Sequence, residues 1–431
     1  MITNKEHIFN YFNSGIKDKN DFKIGIEHEK FLFDQNTNKR VDYKTILKMF
    51  DTLREFGWKP IIEKQNIIGL QKEGKNITLE PGNQIELSGD KLNNIHEACA
   101  ESHDYLFELK QVTKKIGLKI VSAGFDPIST LYEVPNNPKQ RYEVMTRDMP
   151  DGGSLSLDMM YRTCGTQLNL DYSSEEDFIK KFKIINSLVP ISVALFANSS
   201  IVEKKKSGYM SYRSKVWQET SRGGLPEVFF DNMNFEKYAD FSINFPLLFI
   251  QNDKEYLSGK NYIFSDFMNG KIKEINNKLP TENDLATHLS TIFTENRLKK
   301  YIELRSMDTC GWDCLCAGPA FNTGILYGNL DETFDLVSQW DKNKIINAYL
   351  EAPKKGFNTE LMGKDLLYWS SLLLNLSKKG LESRDILNKS GENEVKFLNH
   401  LEKLIDNKTT NADHMINKFS KDENLTELYD K

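Results

Sequence analysis

Apolar and polar residues alternate in four short segments of the chain, at positions 24–33, 77–88, 164–172 and 300–308. Because successive side chains of a strand point to opposite faces, this alternation predicts β-strands with one apolar face. The opposite face carries carboxylates, amides and an arginine, with almost no lysine, which is unusual for a solvated sheet. These polar residues are Glu27, Glu29, Glu80, Gln84, Glu86, Gln167, Asn169, Asp171, Glu303 and Arg305.

Longer segments repeat apolar residues at the spacing of a helix. The segments 43–58 and 92–117 each predict one helix, the second ending at Gly117. Ser174 and Thr281 each precede an acid three residues later and predict helix starts, and from about 332 the chain reads as helical. We therefore predict an α+β fold, in which an antiparallel sheet forms a concave polar cup and helices pack on its outer face. One domain is expected over 1–431, with sheet-forming motifs at about 20–330 and a helical part at about 331–431.

Composition narrows the class of protein. The net charge of −5 argues against a nucleic-acid partner, and no apolar stretch approaches the roughly 18 residues that cross a bilayer. The start of the chain resembles neither a signal peptide nor a transit peptide. Five cysteines leave one unpaired and suit reduced thiols. We expect a cytoplasmic protein without a membrane partner.

The glutamates of the predicted cup indicate a metal site. Five of them, Glu27, Glu29, Glu80, Glu86 and Glu303, would repel one another if they faced one pocket without positive partners. A divalent cation relieves this repulsion, and a donor set made only of oxygen favours Mg²⁺, with Mn²⁺ possible. Beside a metal-bound Glu303, Arg305 can hold a phosphate oxygen and neutralise charge during phosphoryl transfer.

Known phosphate-binding loops are missing from the sequence. The segments "DGGSLSLD" (151–158) and "SRGGLPEV" (221–228) contain paired glycines but lack the Lys-Ser/Thr ending of a P-loop, so each is only a weak candidate. If ATP binds, its phosphates must be held mainly through metal ions.

Six motifs in order resemble glutamate–cysteine ligase of the plant and alphaproteobacterial type. They are "IGIEHEKF", "ITLEPGNQIELSG", "GSLSLDMMYRTCGTQLNLDYSSEEDFIKKF", "ALFANSS", "GYMSYRSKVWQET" and "LKKYIELRSMD". The resemblance runs from about residue 20 to 330 and weakens towards the C-terminus. It implies a glutamine synthetase-like catalytic fold. It also implies the ATP- and Mg²⁺-dependent joining of the γ-carboxylate of L-glutamate to the amine of L-cysteine, the first step of glutathione synthesis.

Carried over position by position, the resemblance assigns roles to individual residues. It makes Glu27, Glu29, Glu80, Glu86 and Glu303 metal ligands, with Glu303 and Arg305 at the phosphates of ATP. It makes Arg213 and Arg305 catalytic, and places Arg213, Gln167, Asn169, Trp217 and Tyr209 at the substrate. The partners it implies are the three small substrates, acting on a monomer or a homodimer.

Two departures from the plant enzymes concern cysteine. The hairpin region at 256–275 lacks the cysteine pair by which the plant enzymes control access, so that switch is missing here. Cys99 and Cys316 match positions that form another plant disulfide, and in a reducing cytosol we expect them to stay thiols.

Three alternatives stay open on the sequence. One is a γ-glutamyl ligase of the same fold with another amine as acceptor. A second is a guanidino-kinase-like phosphotransferase, which would need a reactive cysteine pocket that we do not identify. The third is a metal- or nucleotide-binding protein that has lost catalysis, although the carboxylate set is complete.

Overall fold

The structure is a computed structural model, and it describes residues 1–253, 255–422 and 430. Within these residues, no helix has both the length and the apolar character needed to cross a membrane.

Fifteen strands occur in the described part of the chain, nine of them in one main sheet. The main sheet contains β1 (Ile24–Asp34), β2 (Lys59–Glu63), β3 (Asn66–Lys72), β4 (Lys75–Leu79), β5 (Ile85–Ser88), β6 (Leu118–Val121), β7 (Gly165–Leu170), β12 (Asn296–Leu298) and β13 (Ile302–Asp308). Three separate hairpins are β8 (Ile201–Val202) with β9 (Lys205–Lys206), β10 (Phe249–Asn252) with β11 (Glu255–Ser258), and β14 (Glu360–Leu361) with β15 (Lys364–Asp365).

Every recorded pairing in the main sheet is antiparallel, which confirms the predicted sheet type. The order is β12-β13-β7-β1-β5-β4-β3-β2, and β6 pairs with the far end of β1. All four alternating segments of the sequence contribute strands: β1, the β4–β5 hairpin, β7 and β13. Because these strands lie side by side, their polar faces meet on one surface of the sheet.

Helices occupy most of the remaining chain. They are α1 (Lys5–Asn13), α2 (Tyr43–Leu53), α3 (Ile95–Ile116), α4 (Gln140–Asp148), α5 (Ser156–Arg162), α6 (Glu175–Ser187), α7 (Val189–Leu195), α8 (Tyr212–Gln218), α9 (Phe235–Asn244), α10 (Phe264–Met268), α11 (Glu282–Ser290), α12 (Trp312–Leu315), α13 (Ala317–Thr323), α14 (Leu330–Ser338), α15 (Lys342–Lys355), α16 (Leu366–Arg384), α17 (Asn399–Asp406) and α18 (Asn411–Asp422). The β14–β15 hairpin interrupts the predicted helical C-terminal part.

The structure confirms the predicted capping residues at three helix ends. Gly117 ends α3 in the left-handed conformation, with φ of 74°. The Ser174 side chain accepts the amide of Asp177 at the start of α6. Thr281 and Asp284 cap α11 reciprocally.

The apolar face of the sheet is covered by helices. Leu168, Leu170, Ile302 and Leu304 join a large core with α6, α7, α9 and α13. The outer strands β3, β4 and β5 share a second core with α2 and α3. A third core, built from α4, α5, α8 and β10, borders the polar surface of the sheet, so helices also enclose the cup from its open side.

The expectation of reduced cysteines is wrong for four of the five. Disulfides join Cys99 to Cys316 and Cys310 to Cys314, whereas Cys164 is free and buried. The expectation was based on a reducing cytosol. Whether two thiols can form a disulfide also depends on whether the fold brings them close together. Here the Cα atoms of the two pairs lie 5.7 and 5.8 Å apart, within the range that a disulfide spans.

Candidate active site

A cavity of about 200 Å³ lies between the polar face of the sheet and the third core. The sheet and its turns contribute the polar wall, and α4, α5, α8 and β10 contribute much of the rest. Its lining is Glu27, Glu29, Glu80, Pro81, Gln84, Glu86, Arg141, Tyr142, Met145, Met159, Met160, Thr163, Gln167, Trp217, Phe249, Ser290, Thr291, Phe293, Arg297 and Arg305.

Strand register explains why the acids of the polar wall meet. Glu29 of β1 lies directly opposite Glu86 of β5, and Glu27 lies opposite Gln167 of β7. Directly opposed side chains on one face of an antiparallel pair have Cβ atoms about 4.5–5.5 Å apart. Like charges at this spacing repel, so the fold holds an unfavourable pair of carboxylates together.

This repulsion shifts the pKa values of the acids upward. Burial, then repulsion from Glu86 and Glu80, raises the pKa of Glu29 well above its ordinary value. Burial, then Glu303 and Glu86, raises the pKa of Glu27 to about 7. Burial and Glu80 also raise the pKa of Glu86. Repulsion among these acids therefore persists although Arg141, Arg297 and Arg305 line the same cavity.

Glu303 has the opposite environment. Arg297 Nη2 and Arg305 Nη1 lie 2.6 and 2.7 Å from its Oε1, and Lys299 Nζ lies 2.9 Å from Oε2. Although burial alone would raise the pKa of Glu303, these three cations hold it well below its ordinary value. The expectation that all five glutamates lack positive partners is thus wrong for Glu303, which is fully buried and is not part of the cavity lining.

Arg305 connects the two charge environments. Its Nη1 donates to Glu303 and also to the side-chain oxygen of Gln167. Its Nε is buried and has no hydrogen-bond partner. Because buried donors are nearly always satisfied in folded proteins, this N–H is a candidate contact for a ligand in the cavity.

The remaining predicted residues differ in their distance from the cavity. Asn169 Nδ2 donates to Glu27 Oε1 at 2.8 Å, and Arg213 Nη2 donates to the carbonyl of Arg305 at 2.9 Å, so each touches a lining residue without lining the cavity itself. Trp217 is in the lining and lies under the guanidinium of Arg305, 5.4 Å from the ring centre. Tyr209 packs on Tyr212 and does not line the cavity.

The two glycine-pair loops are not phosphate loops here. The Ser221 amide donates to the carbonyl of Gly152, so the loops pack on each other, and neither contributes to the cavity lining. Arg222 is buried and donates to the carbonyl of Thr291, which does line the cavity. The second loop therefore supports the cavity wall from behind. A Cβ on Gly153 would lie 2.1 Å from the carbonyl of Glu219, which explains the glycine.

Several site residues escaped the sequence reasoning. Arg297 and Lys299 have odd numbers, as Glu303 and Arg305 do. Because side chains alternate along a strand, the sequence already indicated that these four side chains share one face of the sheet. Arg141 of α4 and the apolar part of the wall had no such signal. They reach the cavity only through the packing of the third core.

The donor chemistry of the polar wall fits Mg²⁺. Four carboxylates line the cavity, with no thiolate and no imidazole among the lining residues, and this donor set matches a hard divalent ion. In the described ranges, however, no three His, Cys, Asp or Glu side chains already stand close enough to share one ion. Glu27, Glu29, Glu80 and Glu86 are the lining residues that would hold such an ion.

Comparison with known proteins places the chain in a family. The profile described as "Glutamate-cysteine ligase family 2" matches residues 23–431. The chain belongs to this family. Among its curated relatives, glutamate–cysteine ligase B of Oryza sativa subsp. japonica, named as chloroplastic, is 41% identical over 419 residues, which are 96% of this chain and 83% of the relative. The chloroplastic glutamate–cysteine ligase of Nicotiana tabacum is 40% identical over 418 residues, 96% of this chain and 79% of the relative.

A solved structure supports the fold of this family member. The glutamate–cysteine ligase of Francisella tularensis, crystallised in complex with AMP, aligns with a TM-score of 0.51 at 13% identity. The alignment covers 94% of this chain and 86% of that one. At this identity the likeness concerns the fold alone, and it agrees with the predicted antiparallel cup.

Proposed function

We propose that the protein is an ATP-dependent glutamate–cysteine ligase. It joins the γ-carboxylate of L-glutamate to the amine of L-cysteine through a γ-glutamyl phosphate. One observation carries this proposal beyond family membership: four glutamates, Glu27, Glu29, Glu80 and Glu86, line one small cavity together with the guanidinium groups of Arg141, Arg297 and Arg305. Such a site suits a reaction in which an anionic carboxylate meets an anionic triphosphate.

The chemistry assigns a task to each part of the cavity. A γ-carboxylate oxygen of glutamate bonds to the γ-phosphorus of ATP, and ADP leaves. The amine nitrogen of cysteine then bonds to the acyl carbon, the carbon–oxygen bond to phosphate breaks, and the amine loses a proton. Mg²⁺ held by Glu27, Glu29, Glu80 and Glu86 would neutralise phosphate charge. Arg305 Nε would donate to the transferred phosphoryl group, with its guanidinium kept in place by Glu303 and Gln167.

Arg213 has a supporting part in this proposal. Its guanidinium is buried, bonds to the Arg305 carbonyl and stacks over Trp217 at 5.4 Å. It can fix the backbone of Arg305 directly, and its predicted contact with the glutamate substrate stays a prediction. Gln167 and Asn169 hold Arg305 and Glu27 on the substrate side of the sheet.

The proposal is tested by the choice of amine acceptor. Purified protein with ATP, Mg²⁺ and glutamate should release phosphate at least about 10-fold faster with cysteine than with alanine, ethanolamine or ammonia. Reactions that omit glutamate or Mg²⁺ serve as controls for ATP hydrolysis. A preference for ammonia or ethanolamine would exclude the cysteine ligase and leave another γ-glutamyl ligase. No release with any acceptor would indicate a binding protein without catalysis.

A further inference from the structure

One of the four acids that line the cavity lies in a turn and not in a strand. Glu80 follows the last residue of β4, and the chain reaches β5 at Ile85. We call residues 79–84 the Glu80 turn. The Glu80 amide donates to the carbonyl of Gln84, and the Asn83 amide donates to the carbonyl of Glu80, each at 2.9 Å. These two bonds close the turn, but they do not fix its position relative to the other acids.

Electrostatic repulsion acts on the Glu80 turn. Glu80 contributes to the raised pKa values of both Glu29 and Glu86, which lie on the neighbouring strands β1 and β5. A turn that carries one of three mutually repelling carboxylates moves outward unless other groups hold it. The turn therefore needs bonds to the rest of the fold.

Two side chains from the loop before α4 supply such bonds. Lys139 is buried, and its Nζ donates to the carbonyl of Leu79 at 2.9 Å. Asn137 Nδ2 lies 2.7 Å from the carbonyl oxygen of Glu80 and 3.2 Å from that of Pro81. Because these bonds end on the backbone, they hold the turn itself and leave the carboxylate of Glu80 available to a ligand.

Arg40 extends this series of bonds to the next carbonyl and anchors it in the core. Its Nη2 donates to the carbonyl of Gly82, and its Nη1 donates to Asp126 Oδ2 at 2.9 Å. Both side chains of this ion pair are fully buried. Asp126 is itself fixed, because its Oδ1 accepts the amides of Ile128 and Ser129 at 2.8 and 2.9 Å. A buried ion pair is weak evidence for a gain in stability, whereas the planar fork of Arg40 links a rigid loop to the turn.

We propose that Arg40 and Asn137 are positioning residues for the metal site: they hold the Glu80 turn in place, so that Glu80 can share a divalent ion with Glu29 and Glu86. Neither side chain lines the cavity, so neither touches a substrate there. This inference rests on the proposed function and its metal site, and it adds the residues that set the affinity for the metal. Groups that orient metal ligands from behind typically affect metal affinity by about 10–100-fold.

The test measures binding of Mn²⁺ alone to the full chain, without nucleotide, from the electron paramagnetic resonance signal of unbound Mn²⁺. Asn137→Ala removes the amide that binds the Glu80 carbonyl, and its matched control is Asn136→Ala at the neighbouring, exposed position. Arg40→Lys keeps the positive charge but loses the fork that joins Asp126 to Gly82. Its control is the exposed Arg54→Lys.

Asn137→Ala and Arg40→Lys should each weaken Mn²⁺ binding by roughly 10-fold or more. They should raise the Mg²⁺ concentration for half-maximal phosphate release by a similar factor, while turnover at saturating Mg²⁺ stays close to that of the wild type. Both controls should bind Mn²⁺ like the wild type.

Unchanged Mn²⁺ affinity in Asn137→Ala, with or without a lower melting temperature, would overturn the inference and make these bonds purely structural. If Arg40→Lys fails to fold, Asn137→Ala decides alone. Wild-type protein that binds no Mn²⁺ would also overturn the inference. Wild-type protein that binds Mn²⁺ but releases no phosphate with cysteine would reject the ligase function instead, and the comparison of Mn²⁺ affinities would still decide the role of Asn137 and Arg40.

Discussion

Two groups of glutamates on one face of the same sheet have opposite electrostatic surroundings. Glu27, Glu29 and Glu86 are buried beside one another, and their pKa values are raised. Glu303, on β13, is equally buried, but Arg297, Lys299 and Arg305 lower its pKa. Among the described residues, Glu27, Glu29 and Glu86 form no salt bridge, whereas Glu303 has three cationic partners.

The difference shows that residue type and strand face do not determine the role of a buried acid. The register sets Glu29 of β1 opposite Glu86 of β5, so each of these carboxylates meets another acid. Glu303 is instead opposite Arg297 of β12 and Asn169 of β7. We infer that the fold separates a place for external cations from a place where its own cations face the phosphate.

The largest effect is expected for Arg305, where the two environments meet. Arg305→Lys keeps the charge but loses the planar fork that contacts Glu303, Gln167 and the cavity together. Turnover should fall by about 10²–10³-fold, the scale for one oriented donor to transition-state charge. Steady-state phosphate release at saturating cysteine measures this change.

A matched control uses an exposed arginine. Arg54→Lys alters a surface pair with Asp51 that should contribute at most about 1 kcal/mol and should leave turnover unchanged. If Arg305→Lys retained near-normal turnover, Arg305 would be a structural ion-pair partner of Glu303, and the proposed phosphate contact would be wrong.

A second, smaller effect should distinguish the two groups of glutamates by their need for metal. Glu29→Gln removes a carboxylate that forms no salt bridge among the described residues, and it should raise the Mg²⁺ concentration for half-maximal activity by roughly 10-fold or more. Glu303→Gln should raise that concentration less, because its charge is already compensated, and should lower turnover by releasing Arg305. Titrations of activity with Mg²⁺ and Mn²⁺ give both values.

Equal rises in the two variants would contradict this distinction. Such a result would place Glu303 among the metal ligands, as the sequence resemblance implies, and would mean that its cations move away when metal binds. A Glu29→Gln variant with the Mg²⁺ requirement of the wild type would remove Glu29 from the metal site.

Strand positions and the polar face were predictable from the sequence because side chains alternate along each strand. The alternation in β1, β5, β7 and β13 predicted the acid wall. Arg297 and Lys299 have odd numbers, as Glu303 does, so the same alternation assigns their side chains to the same face of the sheet. The residues missed on the opposite wall, such as Met159 and Phe293, come from loops and short helices. Their approach depends on how the third core packs over the sheet, and no local periodicity encodes that packing.

The disulfides show a second limit of the sequence. Cys99 and Cys316 are separated by 217 residues, and nothing local to either position indicates that α3 and the end of α12 meet. The resemblance identified the pair, but the assumed compartment led to the wrong oxidation state. By contrast, Gly117 and the Thr281–Asp284 pair were predictable because capping chemistry is local.

The smallest expected effect concerns the stability of the metal-free protein at different pH values. The pKa of Glu27 rises from 4.5 to about 7 on folding, mainly through burial and then repulsion from Glu303 and Glu86. A carboxyl whose pKa is raised in the folded state stabilises the fold below its unfolded pKa, and this stability is lost as the pH rises through the folded value. Glu29 and Glu86 shift in the same direction. In the presence of a chelator, the melting temperature should therefore fall by a few degrees, roughly, between about pH 5 and pH 8.

Mg²⁺ should reverse this trend, because ionised carboxylates bind it and protonated ones do not. The rise in melting temperature on adding Mg²⁺ should be larger at about pH 8 than at about pH 5.5. Glu27→Gln should flatten the metal-free profile, whereas the exposed Glu382→Gln should leave it unchanged. A metal-free melting temperature that rises steadily over this range, or a Glu27→Gln profile as steep as that of the wild type, would show that the acids of β1 and β5 have found internal partners like those of Glu303.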